Sequence, residues 1–272
     1  MTEIKTKNKN IILECDSLDI ALTLDCGQAF RWKRDEAGKW HGVAFGQPLT
    51  LSQSGTEITF YDTDKETFEK IWKPYFDLDR DYASVCRRLE ADKYMKAAVN
   101  EFYGIRILHQ EPWEALCSFI ISQNNNIPRI KGIIERLCAL LGEPLGNGDY
   151  SFPDAGTVAA AGVEGLAPIR AGFRAKYIID AAKKMSSGEI DIDKINVSDL
   201  ETGRDELIKI KGVGEKVAQC TLLYGFGKVD AFPVDVWVKR IMAEMYPGGL
   251  PECANGVRGI AQQYLFHWRR NQ

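Results

Sequence analysis

The chain has 272 residues, 45% of them apolar and 27% charged, with a formal net charge of −3 and a pI near 5.8. That supplies a full core for one large domain or for two to three lobes, and no window approaches the roughly 18 uninterrupted apolar residues of a membrane span. The acidic balance excludes a broadly basic nucleic-acid-coating surface, although a clamp made of backbone amides and a few placed arginines needs only a local field.

In chain order, MTEIKTKNKN is polar and lysine-rich with no apolar stretch, so it does not read as a secretory signal. From Ile11 to Tyr61 the text alternates and is punctuated by glycine: IILEC, ALTLDCGQAFRWKR, KWHGVAFGQPLTLSQ and EITFY. This predicts short strands in an antiparallel sheet, with 35–38 as a hairpin turn. From Asp64 the period turns helical through ETFEKIWKPYF, DYASVCRRLEAD, KYMKAAVNEFYG and EPWEALCSFIISQ, all with apolar residues at i, i+3 and i+4.

Asn124, Asn125 and Asn126 then separate two apolar helices. Their side chains compete for backbone hydrogen bonds, so they suit either a capped junction or a finger aimed at bases. A loop over 142–154 and short helices lead to AGFRAKY, where an aromatic and an arginine at a helix start could wedge and stack against bases, or simply make a solvated turn.

The stretch 207–240 carries the chemistry. A helix over 205–210 turns through Lys211-Gly212-Val213-Gly214 into a second helix from Glu215 to about Tyr224. Two glycines in such a turn predict a tight helix pair, and the backbone amides opening the second helix suit a phosphate. Lys216 falls on that helix's first turn; Asp235 follows Phe232-Pro233-Val234 and precedes an apolar helical pattern. Alone, the lysine reads as solvated and the aspartate as an N-cap. A final helix, with Ile260, Tyr264, Leu265 and Trp268 on its apolar side, closes the chain. Seven unpaired-spacing cysteines, no CxxC and no close cysteine quartet point to a reducing compartment and away from zinc or an iron–sulfur cluster.

The glycine hairpin, the lysine and the later Pro-Val-Asp together resemble the helix-hairpin-helix DNA glycosylase superfamily. CGQAFRW, WKPYFDLDRDY, ISQNNNIPRI, AGFRAKY, GVGEKVAQC, PVDVW and AQQYLF narrow the resemblance to the eukaryotic-type 8-oxoguanine DNA glycosylase/AP lyases and span nearly the whole chain. The resemblance implies an α+β fold: an N-terminal antiparallel sheet domain with flanking helices (1–98), then two mostly helical lobes (99–272) containing the helix-hairpin-helix (about 205–225). It implies Lys216 as the nucleophile on C1′, giving a Schiff base and strand cleavage by β-elimination, and Asp235 as the carboxylate stabilising charge on the sugar. It implies that the Gly27 carbonyl accepts N7–H of 8-oxoguanine, that Cys220 and Phe266 sandwich the base and that Gln262 meets its Watson–Crick edge.

On the DNA, the resemblance assigns Gly212 and Gly214 to the backbone, Asn124 to the vacated space, and Arg129 and Arg174 to the orphaned cytosine. Phe173 stands where the family often has tyrosine, and Trp237 where a histidine is typical, so its phosphate contact is open. The carbonyls of Ile208, Ile210 and Val213 correspond to a monovalent-cation site, which is not required. The expected partner is double-stranded DNA containing 8-oxoguanine, with no cofactor and no membrane. The expected protein is a monomer in the cytoplasm at the nucleoid, or in the nucleus of a eukaryote. Two alternatives remain: a monofunctional alkylbase glycosylase, which would not need Lys216, and a noncatalytic helix-hairpin-helix clamp, which would not need Asp235, Gly27 or Gln262.

Overall fold

The computed structural model describes residues 3–7, 9–146 and 148–272. Met1, Thr2, Asn8 and Asn147, and with them parts of the N-terminal decapeptide and of the 142–154 loop, lie outside the described residues. The fold is α+β. Strands β1 (Glu3–Lys7) and β2 (Asn10–Glu14) are followed by a helix, α1 (Ile20–Asp25), then by β3 (Lys33–Arg34), β4 (Trp40–Ala44), β5 (Gln47–Ser54) and β6 (Glu57–Tyr61). All strand pairs are antiparallel, in the order β1-β2-β6-β5-β4-β3. Register sets Ile11 opposite Phe60, Phe60 opposite Leu51 and Leu51 opposite Trp40. These four are buried, so period-two alternation becomes one apolar row across the inner face.

Two details differ from the sequence expectation. ALTLD alternates, yet it forms α1, because the Asp19 side chain accepts the Leu22 N–H at 2.8 Å and the Thr23 hydroxyl donates to the Gly104 carbonyl at 3.2 Å. The cap and the distant partner override the local pattern. The charged EIKTK lies ahead of the strands expected from Ile11 onward, yet it forms the edge strand β1, which blunts the sheet with lysines. The 35–38 turn is as expected: the Asp35 N–H donates to Lys39 O at 2.8 Å and joins β3 to β4.

The sheet is covered by α2 (Lys65–Thr67), a π-turn over Phe68–Trp72 and α3 (Lys73–Tyr75). Phe68 and Phe76 pack edge-on against Phe60 at 5.1 and 5.7 Å between ring centroids. The helical part runs through α4 (Tyr82–Leu89), α5 (Lys93–Glu101), α6 (Pro112–Ser122) and α7 (Ile127–Leu141). A small hairpin, β7 (Pro144–Gly146) with β8 (Asp149–Tyr150), interrupts the expected loop. Then come α8 (Ala155–Gly165), α9 (Ala175–Ser186), α10 (Ile192–Val197), α11 (Leu200–Ile208), α12 (Glu215–Tyr224), α13 (Val236–Met245) and α14 (Arg258–Arg270).

The described residues form two apolar cores. One is the sheet face with its covering turns, ending at Leu78 and joined by Leu108; the other begins at Tyr82, gathers the remaining helices and reaches back to Cys26 and Phe30. Buried polar groups stitch the two. Gln28 Nε2 donates to Thr23 O (2.9 Å) and Arg106 O (2.7 Å), while its Oε1 accepts the Leu108 N–H (2.9 Å). Gln110 Nε2 donates to Gln28 O at 2.8 Å. The segment 26–30 is thereby fixed from both sides, with both the donor and the acceptor of the buried Gln28 amide paired. Among the described residues no helix is long and apolar enough to cross a membrane.

Candidate active site

Residue Lys216 is placed by the turn between α11 and α12. The turn folds as Val213 N–H to Ile210 O (3.0 Å) and Lys211 N–H to the Asp180 carboxylate (2.7 Å). Gly212 adopts φ +80°, and a Cβ there would lie 2.4 Å from the Tyr177 ring, so conformation and packing both require glycine. Gly214 is the N-cap of α12 without a side-chain cap, and it leaves open space where a Cβ would stand. Lys216, half-buried, donates from Nζ to Ser122 Oγ at 3.4 Å and lies 5.5 Å above the Phe119 ring.

Residue Asp235 is placed by the loop that follows α12. The Phe232 N–H donates to Gln219 Oε1 (3.0 Å), the Arg258 guanidinium pairs with Asp230 (2.7 Å) and the Gly259 N–H reaches Val229 O (2.8 Å). The loop thus holds to both α12 and α14. Asp235 itself caps α13 by accepting the Val238 N–H at 2.8 Å.

These elements converge. Lys216, Cys220, Asp235, Gln262, Phe266 and Gly27 line one cavity of about 60 Å³. Phe119, Tyr224, Pro233, Gln263 and Cys26 complete its wall. The cavity holds a few waters and not a purine. Larger clefts of about 380 and 450 Å³ open elsewhere, around Phe45 at the seam of the two cores, but they lack this chemistry. The electrostatics are local: burial pushes the Cys220 thiol up to about 11, with the Lys216 charge pulling it down and Asp235 pushing it up. Both charges therefore act on the same sulfur.

Gln262 is 6% exposed, and among the described residues its Oε1 has no hydrogen-bond partner. An unpaired buried acceptor costs stability unless something arrives to fill it. Gly27 sits at φ +87°. Its loop is held at the neighbouring carbonyl by Gln263 Nε2 to Cys26 O (3.4 Å), and Gln263 Oε1 in turn accepts Tyr224 Oη–H at 2.5 Å. Ser122, Phe119, Tyr224 and Gln263 were missed by sequence reasoning. Ser122 and Gln263 stand beside residues the motifs single out, whereas Phe119 and Tyr224 read only as core.

The remaining predicted residues form a rim. The three asparagines divide their tasks: Asn125 closes α6 by donating to Ile121 O (3.0 Å), Asn126 caps α7, and Asn124 is exposed in the left-handed region at φ 48°. Arg129 is exposed. Phe173 is 47% exposed with the Arg174 guanidinium 4.5 Å from its ring, and Trp237, 38% exposed, carries Arg240 at 5.4 Å. Arg174 is 2% exposed, and its guanidinium donates to the carbonyls of Gln123, Asn124 and Ala171. Ile208 is exposed while Ile210 and Val213 are buried, and the Ile210 carbonyl already accepts the Val213 N–H, leaving one lone pair for any cation.

A family model described as 8-oxoguanine DNA glycosylase, N-terminal domain, matches residues 10–116, and one described as HhH-GPD superfamily base excision DNA repair protein matches 117–249. A probable N-glycosylase/DNA lyase of Methanothermobacter thermautotrophicus is 31% identical over 246 residues, covering 78% of each chain. The N-glycosylase/DNA lyase of Saccharomyces cerevisiae is 32% identical over 260 residues, covering 84% of this chain and 68% of its own. Among solved structures, the Clostridium acetobutylicum 8-oxoguanine glycosylase/lyase, in complex with double-stranded DNA containing cytosine opposite 8-oxoG, superimposes with a TM-score of 0.91 at 35% identity. It covers all of this chain and 98% of that one.

Proposed function

We propose, given that this chain belongs to the N-glycosylase/DNA lyases of the HhH-GPD superfamily, that it flips 8-oxoguanine out of duplex DNA, excises it and cleaves the strand. One observation supports the reading: an amine from the helix after the glycine turn, a carboxylate from the loop before α13 and an unpaired buried amide oxygen meet in one cavity. A uniform apolar pocket would bind a base; only this set also reacts with its sugar.

The base must leave the stack because C1′ is inaccessible in the duplex. The 60 Å³ cavity has to widen to admit it, by displacement of Phe266 and Gln262 on α14. Once inside, a guanine-type edge presents N–H donors, and Gln262 Oε1 accepts from them. The Gly27 carbonyl accepts N7–H of the oxidised base; normal guanine has an acceptor there and would leave that carbonyl unpaired. Cys220 and Phe266 close on the two faces of the ring.

Chemically, Lys216 Nζ in its neutral form attacks C1′, the C1′–N9 bond breaks and the base departs with its electron pair. The bound nitrogen then gives up its proton as the C1′–O4′ bond breaks and O4′ takes up a proton, leaving an open-chain imine. That imine loses a C2′ proton to the departed base or to water, and the electron pair forms the C2′–C3′ double bond as the C3′–O bond to the 3′-phosphate breaks. Asp235 stabilises the oxocarbenium-like sugar more than the neutral ground state, as differential binding requires. The amides opening α12 at Gly214, with Gly212 shaping the turn, hold a phosphate; Asn124 fills the vacated space, Phe173 wedges and Trp237 lies along the backbone. The opposite base is cytosine, and the enzyme acts as a monomer wherever its DNA lies.

The test is an 8-oxoguanine:cytosine duplex with borohydride. The wild type becomes covalently trapped; Lys216→Gln loses trapping and strand cleavage by on the order of 10⁴-fold while still binding the lesion. Base release without trapping would instead indicate a monofunctional glycosylase, and binding alone a passive clamp.

A further inference from the structure

Three residues of α14 recur at helical spacing on the side that meets the cavity. Gln262, Phe266 and Arg270 stand four apart in the chain, so they lie one above the other on a single face. Gln262 and Phe266 line the cavity, the first 6% exposed and the second half-buried. Arg270, the last residue of the helix, is exposed. The stripe thus runs from the cavity wall out to solvent, and it ends in a cation.

That cation has a defined neighbour. A Cβ on Gly27 would lie 3.8 Å from Arg270 Nη1 and 3.7 Å from Ile127 Cδ1, so the guanidinium stands against the loop that supplies the Gly27 carbonyl. Among the described residues Arg270 has no hydrogen-bond or ion-pair partner, whereas Arg269 beside it turns to Glu244 at 2.7 Å. All five N–H donors of Arg270 are therefore free at the mouth of the cavity. The amides suited to a phosphate open α12, a different element.

We infer that Arg270 is a specificity-determining residue that donates to O8 of the flipped 8-oxoguanine. The inference rests on the proposed function, in which the Gly27 carbonyl accepts N7–H of the same base. The oxidised edge of the lesion carries a donor, N7–H, directly beside an acceptor, O8. Gly27 offers the matching acceptor, and Arg270 is the unspent donor next to it. Undamaged guanine has an acceptor at N7 and only C8–H beside it, so at the second position it offers the guanidinium nothing. The two residues then divide the discrimination. Gly27 rejects guanine through an unpaired carbonyl, while Arg270 attracts the lesion through a charge-assisted bond that guanine cannot make.

The experiment measures single-turnover excision of 8-oxoguanine opposite cytosine, with strand cleavage at a preformed abasic site as the reference because no base meets Arg270 there. Binding of lesion-free duplex is followed across a salt titration. Arg270→Leu lowers the ratio of excision to abasic-site cleavage roughly tenfold, the loss of one charge-assisted contact at an exposed rim. The salt slope stays as in wild type. Arg270→Lys keeps a charged donor and recovers part of the ratio. Both variants keep the urea midpoint, since the side chain is exposed.

Equal loss of excision and abasic-site cleavage, with a salt slope smaller by about one, overturns the inference, because Arg270 would then hold a phosphate. An unchanged ratio in Arg270→Leu also overturns it and leaves the cation as a partner for the C-terminal end of the α14 dipole. Failure of the wild type to excise 8-oxoguanine opposite cytosine brings down the function on which the inference rests, and the inference with it.

Discussion

The Asp235 carboxylate accepts the Val238 N–H at 2.8 Å, so it caps α13, and the same side chain lines the cavity with Lys216 and Cys220. The cap needs only an oxygen, whereas the proposed stabilisation of a cationic sugar needs the negative charge. Asparagine supplies the first without the second, since it caps helices about as well as aspartate. Asp235→Asn is therefore expected to keep its thermal midpoint and lose about 10²–10³-fold in single-turnover excision, the range for removing one preorganised electrostatic contact. Asp235→Ala adds a loss of about 1 kcal/mol from the missing cap. An Asp235→Asn rate equal to wild type would reduce the residue to its structural task. That Lys216 and Asp235 meet in one cavity was legible in the sequence because their spacing fits one motif. The engagement of Arg174 was not, because its partners Gln123 and Asn124 lie some fifty residues earlier and meet it only through burial.

At the scale of the element, the two glycines of the α11–α12 turn look equivalent in sequence and are not equivalent in space. Gly212 has φ +80° and would place a Cβ 2.4 Å from the Tyr177 ring; Gly214 has φ −104° and meets nothing within 4 Å. Gly212→Ala is expected to destabilise the protein by about 1–3 kcal/mol, read as a shift of the urea midpoint. Gly214→Ala lowers that midpoint less, by the poorer N-cap alone, but weakens duplex binding, because the added methyl stands where a phosphate must approach the amides of α12. If Gly214→Ala binds duplex as wild type does across a salt titration, the phosphate lies elsewhere.

The same element shows which signals sequence carries. The bounds of α12, Glu215 to Tyr224, could be read because glycine stands at both ends of an apolar-periodic run. The bounds of α1 could not: its residues alternate like a strand, and what makes them helical is the Asp19 cap together with a partner eighty residues away. The π-turn after α2 and the β7–β8 hairpin likewise leave no periodic trace.

At the scale of the molecule, the seam between the sheet core and the helical core contains a buried ion pair. Arg31, from the segment leading out of the 26–30 loop, meets Glu114 on α6 at 3.3 Å, with both side chains 10% exposed. Arg31 also donates to the Tyr150 carbonyl, so one guanidinium ties the loop, α6 and β8. Burial pushes the Glu114 carboxyl up to about 7; Arg31 opposes the rise and Glu111, itself raised by burial, adds to it. The folded state thus holds a proton that the unfolded chain, with an ordinary carboxyl near 4.5, has already released.

Stability from this group is fully present below pH 4.5 and is lost as pH rises through 7, a contribution on the order of 3 kcal/mol. Urea midpoints taken from pH 4.5 to 8 should therefore fall across that window more steeply in wild type than in Glu114→Gln, which has no proton to lose there. The absolute stability of the variant also drops, because Arg31 is left buried without its counter-charge. The slope is the diagnostic, and Glu111 keeps part of it in the variant. Parallel pH profiles would mean that Glu114 stays ionised throughout and that the two cores are joined by a permanent ion pair rather than by a carboxyl that takes up a proton near neutrality.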